Sequence, residues 1–316
     1  MAYAAGVAQV LTSRTQGGEI GNLWPSKEKE LSTELTQHTL HVREGQEIFI
    51  APLGDIQYTG RPEDISGGSL KAHLAYCQAR EAYYVGTGDY VDLMSPSNRA
   101  RLRGAALYDN TQRTIEDKAS ELTDRLFLDH LEGTAGRWLG LVHGHHWTDC
   151  GAGETTDQRL ARLVGSTYLG TCAGITLRFH GPGAEIGTLK LLLHHGTGGG
   201  QGAGSHLNKM EKFLASFPGV DAFFMGHTTK VAAAPIVGVD WSHCGTKARM
   251  SHRPRYLINT GGWSKAYVAG SRRDGRPAGD YAEAAMMAPA ALGGALLKIT
   301  AHWSGRRWAP QLKVEV

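Results

Sequence analysis

Five short apolar runs, each ending in a small polar motif, constrain this 316-residue chain more than any other feature. The runs lie at 47–54, 82–86, 137–143, 188–193 and 222–225, and the text at their ends reads GD, GD, GHH, HHG and GHTT. Apolar runs of about 4–8 residues bounded by glycine read as buried strands. Further strand-like runs lie at 175–179, 256–260, 295–299 and 307–314. The intervening text has helical spacing at 69–81 and over 99–131, where no proline interrupts one or two helices. Thr155 or Thr156 is placed to cap a helix through 164 with Asp157 in its first turn, and Ser205 to cap another that ends near Phe217. Strands alternating with helices give the α/β class.

Ligands of open α/β sheets bind beyond the carboxyl ends of the strands. The five motifs are therefore expected to meet at one edge. The side chains they carry are Asp55, Gln57, Asp89, His145, His146, His194, His195, His227 and Thr229. Carboxylates combined with imidazoles suit Mn, Fe, Zn, Co or Ni. Two such divalent ions beside two aspartates leave net positive charge, which attracts phosphate and lowers the pKa of a bound water toward ~7. A carboxylate shared by two ions ~3.5–4 Å apart is the usual clamp for in-line phosphoryl displacement.

Composition narrows the rest. Hydrophobic residues make up 41% and charged residues 20%, so the chain can bury a core. A net charge of +3 is too small to demand a polyanionic partner. Mean hydropathy is −0.29, and no apolar run approaches the ~18 residues of a membrane span. Cys77, Cys150, Cys172 and Cys244 form no CxxC pair, so the reading is reduced thiols in a cytoplasmic protein. The start, MAYAAGVAQVLTSRTQ, lacks the basic region of a signal peptide and is read as a mature terminus. Residues 1–37 are read as an arm and 38–316 as one domain.

In order, GDIQYTG (54–60), GTGDYVD (86–92), HGHHW (143–147), LHHGTGGG (193–200) and MGHTT (225–229) resemble the GD, GD, GNH(E/D), H and GHxH motifs of calcineurin-like metallophosphoesterases. HHGTGGG, with INTGGWSKAYV (258–268), resembles a phage and archaeal branch of that superfamily. The resemblance implies a four-layer α/β/β/α sandwich of two facing mixed sheets flanked by helices. It implies two divalent ions, with Mn the first choice. Asp89 matches the bridging aspartate and Asp55 a ligand of metal one, with Gln57 in place of that metal's usual histidine. His194 matches the histidine of the fourth motif and His227 the first of GHxH, both for metal two. His146 matches the histidine that contacts phosphate and protonates the leaving oxygen.

Other departures from the pattern are His145 for asparagine, Trp147 for the acid and Thr229 for the last histidine. His145 can bind metal through a ring nitrogen. Metal two is expected to be the tighter site, with metal one weak or completed by His243 or His252. The implied activity is hydrolysis of a phosphodiester, nucleotide or nucleic acid, by hydroxide attack on phosphorus. The alternatives are a phosphomonoesterase and a non-catalytic binding module on the same fold.

Some features stay open at this level. The loop GTGGGQGAG (196–204) lacks the GK[ST] of a nucleotide-binding P-loop, yet its amides suit a phosphate as well as plain flexibility. Arg99, Arg101 and Arg103 suit a polyanion or a solvated helix face. Trp263 and Tyr267 suit a pocket rim or the core.

Overall fold

Alternation of apolar side chains along the strands dictates the layering, because successive residues of a strand face opposite sides of its sheet. A computed structural model describes residues 34–316 apart from Glu63, Gln201 and the stretches 245–246, 270–271, 274–275, 278–280 and 305–306. Strands β1 (Glu34–His41), β2 (Glu47–Leu53), β3 (Tyr83–Gly86), β4 (Trp138–Leu141), β5 (Cys172–Gly181), β6 (Ala184–His194), β7 (Ala222–Met225), β8 (Val231–Cys244) and β9 (Lys247–Gly262) build most of two sheets. One sheet has five strands, ordered Gln311–Glu315, Leu296–Thr300, β2, β3, β4. The other has seven, ordered β1, β5, β6, β7, β9 and Gly293–Gly294, with β8 paired to β9. Both sheets are mixed: β2, β3 and β4 run parallel, as do β6, β7 and β9, while β5–β6 and β8–β9 are antiparallel.

The helices are α1 (Gly67–Gln78), α2 (Pro96–Gly104), α3 (Asp109–Leu126), α4 (Thr156–Leu163) and α5 (Ala203–Leu214). Phe49, Ala51 and Leu53 of β2 pack with Leu70 and Leu74 of α1, Leu122 and Leu126 of α3 and Leu160 of α4. Ile48 and Ile50, of opposite parity, pack between the sheets with Leu177, Leu191, Leu193 and Phe224. Leu192, Phe223 and Met225 turn to the outer side, against Met210 and Leu214 of α5. The order helix, sheet, sheet, helix is the expected four-layer sandwich. Each fully buried Leu or Ile contributes roughly 1.5–3 kcal/mol, so both the inter-sheet layer and the helix-covered face of the five-stranded sheet stabilise the fold.

Local chemistry sets the helix ends. The 99–131 span divides into α2 and α3, with Ala106 at φ 45° in the connection. Thr155, not Thr156, caps α4: its hydroxyl accepts from the Gln158 amide while the Gln158 side chain accepts from the Thr155 amide. Gly202, not Ser205, is the N-cap of α5, and Ser205 already lies inside the helix, its hydroxyl donating to the Gly202 carbonyl.

Three further outcomes differ from the sequence reading. The last four residues of the expected arm, 34–37, belong to β1 and pair with β5. The rest of the arm lies outside the described residues. The 256–260 run is the end of a 16-residue strand, and its antiparallel partner β8 was not foreseen. β8 carries Pro235, Gly238 and an alanine run, residue types with little strand preference of their own. The 307–314 run is two strands, Arg307–Trp308 and Gln311–Glu315. Cys77, Cys150 and Cys172 are free thiols. No described helix is long and apolar enough to cross a membrane.

Candidate metal centre

The parallel triplets β2–β3–β4 and β6–β7–β9 bring their carboxyl ends to one edge of the sandwich, and the five motifs follow those ends. Asp55, Gln57, Asp89, His227 and Thr229 all adopt left-handed backbone, with φ between 48° and 73°. Non-glycine residues avoid that region, so clustering of this strain at one edge marks a site whose surroundings over-determine it. Two motif glycines explain how tightly the loops close. A Cβ on Gly144 would sit 2.0 Å from Asp89 Oδ1, and one on Gly226 would sit 2.8 Å from Asp55 Oδ2.

Asp89 is 3% exposed, and its Oδ1 accepts from the amides of His145 at 2.5 Å and His146 at 2.9 Å. The third motif is thus wrapped around the carboxylate at the end of β3. Asp55 is fully buried; its Oδ2 accepts from the His227 amide at 2.8 Å, while Oδ1 has no partner. His195 donates from Nδ1 to the Thr87 carbonyl at 2.7 Å. That bond leaves Nε2 aimed at Asp89, 3.1 Å from Oδ2 but without hydrogen-bond geometry. The rings of His145, His195 and His227 meet edge to face, with centroids 4.8–5.2 Å apart.

Two sets therefore have all ligand atoms within 4.8 Å of one another: Asp55, Asp89 and His195, and His145, His195 and His227. These residues fit divalent ions. A buried polar atom without a partner, Asp55 Oδ1, faces that cluster, and an unpaired buried polar group is costly unless something binds it.

His194, which the resemblance matches to a ligand of metal two, is in neither set. Along β6, Leu191 and Leu193 face the inter-sheet layer and Leu192 faces α5. His194 continues the outer parity: its ring lies against Phe213 of α5 and its Nδ1 accepts from the Gly196 amide at 2.7 Å. His195 has the inner parity and enters the cluster in its place.

Gln57 is held by Ser264, whose hydroxyl donates to Oε1 at 2.5 Å. His146 lies beside the cluster. Its Nδ1 bonds Asp92 Oδ1 at 2.8 Å, and its Nε2 is 4.0 Å from Asp89 Oδ2. His252 is exposed on the β8–β9 hairpin, and the side chain of His243 lies outside the described residues. Trp147 lies under Arg99, whose guanidinium carbon is 4.1 Å from the ring centroid, and Arg99 donates to the carbonyls of Trp147 and His145. Arg99 thus ties the third motif to α2, while Arg103 pairs with Asp149 at the surface. Trp263 is core, 1% exposed, whereas Tyr267 is exposed.

Asp157 is a residue the sequence reading placed only in a helix turn. It is buried, and its Oδ2 accepts from the Gly144 amide at 3.1 Å, fixing the third motif from α4. The glycine loop also takes part, since the His227 ring hydrogen-bonds the Gly198 backbone.

Electrostatics follow burial. Desolvation pushes the Asp55 carboxyl up; His195 pulls it back and Asp89 pushes the same way as burial. Burial would also raise Asp89, but His195 and His146 outweigh it and hold the carboxylate ionised. Burial opposes charge on His195, yet Asp89 and Asp55 raise it to about 9. Burial, then His195 and His145, depress His227 to about 4, so it stays neutral as a ligand must. Burial lifts Asp157 to about 7.

No family model matches the sequence, and no curated protein matches it either. Among solved structures the chain is similar to a single-mutant Vps29 from Entamoeba histolytica: 13% identity, 85% of this chain, 100% of that chain, TM-score 0.33. Vacuolar Protein Sorting 29 from Cryptosporidium parvum gives 10% identity, 85% and 98% coverage, and TM-score 0.30. A double-mutant Vps29 from Entamoeba histolytica gives 12%, 86% and 100%, with TM-score 0.30. Likeness at that level carries no argument about activity.

Proposed function

We propose that the chain is a metal-dependent phosphoesterase of the calcineurin-like type, acting on phosphodiesters. The convergence of Asp55, Asp89, His145, His195 and His227 from five separate strand ends carries this reading. Divalent ions bound there would supply an activated water and neutralise the charge that develops on the phosphoryl oxygens. His195 belongs to both ligand sets, and Asp89, in one of them, is held on Oδ1 by the His145 and His146 amides so that Oδ2 is turned to His195 and the cluster. His195 and His227 present neutralisable imidazoles, each with its ring oriented by a backbone hydrogen bond. His146 is partly open to solvent and pinned through Nδ1 by Asp92, which leaves Nε2 to protonate the leaving oxygen. Arg99 holds the loop that carries His145 and His146 at the mouth of the site.

The diester preference rests on the motif resemblance to repair-nuclease and phosphodiesterase branches. Nucleotides and nucleic acid are the substrate class to try first, with monoesters as the control. The experiment is hydrolysis of bis(p-nitrophenyl) phosphate and p-nitrophenyl phosphate across Mn, Co, Ni, Zn and Mg, with Asp89→Asn alongside. Metal-dependent diester turnover that is lost in Asp89→Asn supports the reading. Metal-independent turnover, or a variant as active as the native chain, overturns it.

A further inference from the structure

We infer that the glycine loop at 196–204 and the first two turns of α5 form a phosphate-binding position beside the metal centre, which takes the neighbouring phosphate of a nucleic-acid strand. This rests on the metal-dependent reading above and narrows its substrate class from diesters in general to strands that carry a further phosphate.

The loop enters α5 through Gly202, the N-cap, which has no side chain to bond the amides of the first turn. That turn, Ala203–His206, holds no acid either. A helix start left this way presents amides and partial positive charge outward. A glycine-rich loop running into such a start suits phosphate, because the backbone approaches the ligand without a Cβ in the way. Here the loop is pressed onto the turn: a Cβ on Gly200 would sit 2.2 Å from Ser205 Oγ.

His206 points to a ligand independently of the loop. Side chains of a helix lean toward its N-terminus, and the His206 ring reaches back past the first turn to hydrogen-bond the Gly200 backbone. The residue is 4% exposed, and its other nitrogen, Nε2, is buried at that end without a partner. A polar atom in that state is costly unless something binds it. Burial and then the Lys230 charge lower the pKa of the ring, with Lys209 acting the same way, so it stands neutral in a positive field that an anion would offset.

Lys209 supplies a full charge. It lies three residues beyond His206, on the same side of α5. Its Nζ donates to the carbonyl and the hydroxyl of Thr197 in the loop. An ammonium has three donors, so one remains for a phosphate oxygen. Gly198 joins this position to the metal centre: the His227 ring hydrogen-bonds its backbone, and a Cβ on it would lie 3.2 Å from Lys209 Nζ. One residue thus separates a metal-facing imidazole from the ammonium, a separation of the order of one nucleotide along a strand. A ligand with a single phosphate reaches the metal centre alone, and one with an adjacent phosphate reaches both.

The test compares a thymidine dinucleotide with its 5′-phosphorylated and 3′-phosphorylated forms, which share one diester and differ by a terminal phosphate. Chromatography of the products scores cleavage of the diester alone. In the native chain one phosphorylated form should have a kcat/KM about tenfold or more above that of the unphosphorylated dinucleotide, and the ratio should shrink as salt rises. Lys209→Ala should bring the ratio close to one, and Lys209→Arg should keep most of it. A native ratio near one for both phosphorylated forms, or an unchanged ratio in Lys209→Ala, would overturn the inference and leave the phosphoesterase reading intact. If no diester is cleaved, that reading falls, and calorimetric titration of the same dinucleotides decides the phosphate position by itself. Tighter binding of a phosphorylated form that depends on Lys209 supports it, and equal binding overturns it. If Lys209→Ala fails to fold, the native ratio still decides.

Discussion

His195 Nε2 stands 3.1 Å from Asp89 Oδ2, with each side chain only 3% exposed. An imidazole from the end of one sheet meets a carboxylate from the end of the other, and neither reaches solvent. The contact closes the sandwich at this edge, inside the candidate ligand set of Asp55, Asp89 and His195.

Replacing His195 and replacing its neighbour should have unlike effects. His195→Ala removes an inner-parity imidazole and should abolish retention of a metal ion. His194→Ala trims a ring that packs on Phe213 of α5 and should leave metal content unchanged. Elemental analysis of the two purified variants checks this; equal loss in both would contradict the parity assignment.

Asp92 should tune the rate rather than the metal. Its carboxylate fixes His146 through Nδ1. Asp92→Asn is expected to keep full metal content and slow diester hydrolysis roughly tenfold, and His146→Ala to slow it by ~10²-fold or more. A leaving group that needs no proton, such as p-nitrophenolate, should be less sensitive than a poor one. Equal sensitivity for both leaving groups would remove the acid role of His146.

Gly144→Ala should disable the site without replacing a ligand. The added methyl would lie 2.0 Å from Asp89 Oδ1 and 2.2 Å from the Asp89 amide nitrogen, so the third motif has to move away. Loss of metal with a melting temperature lowered by several degrees is the expected result, read by elemental analysis and circular dichroism. Native metal affinity in this variant would mean the loop is slack.

Acid stability should depend on His73. Burial beneath Trp263 lowers its pKa from 6.5 to about 4, so the folded chain favours the neutral ring. The associated stability is complete above pH 6.5 and is lost as pH falls toward 4, because the unfolded chain takes up the proton first. The loss approaches roughly 3 kcal/mol. Urea unfolding in chelator at pH 7.5 and pH 4.5 should show a smaller difference for His73→Gln than for the native chain. The same difference in both would assign the acid sensitivity elsewhere.

Much of the fold was legible because hydrophobic patterning is local. The runs at 47–54, 82–86, 137–143 and 222–225 are strands almost to the residue, and 69–81 and 155–164 are helices within a turn. The sites of Asp55, Asp89, His145 and His227 followed from their place at strand ends. β8 was missed because its pairing with β9, not its own residues, makes it a strand. Gln57 and His146 fell at the right edge, but their partners, Ser264 and Asp92, are contacts that spacing does not encode. Asp157 carried only the signal of a first-turn acid, and burial gave it a second task.

Residue order alone settled the class, the strand ends and the list of chemistry-bearing side chains, since each depends on neighbours within a few positions. Which of His194 and His195 enters the centre depends on which face of β6 is covered by the other sheet. That covering is made by strands far from β6 in the sequence, β2 and β3 among them, and only the folded chain brings them there.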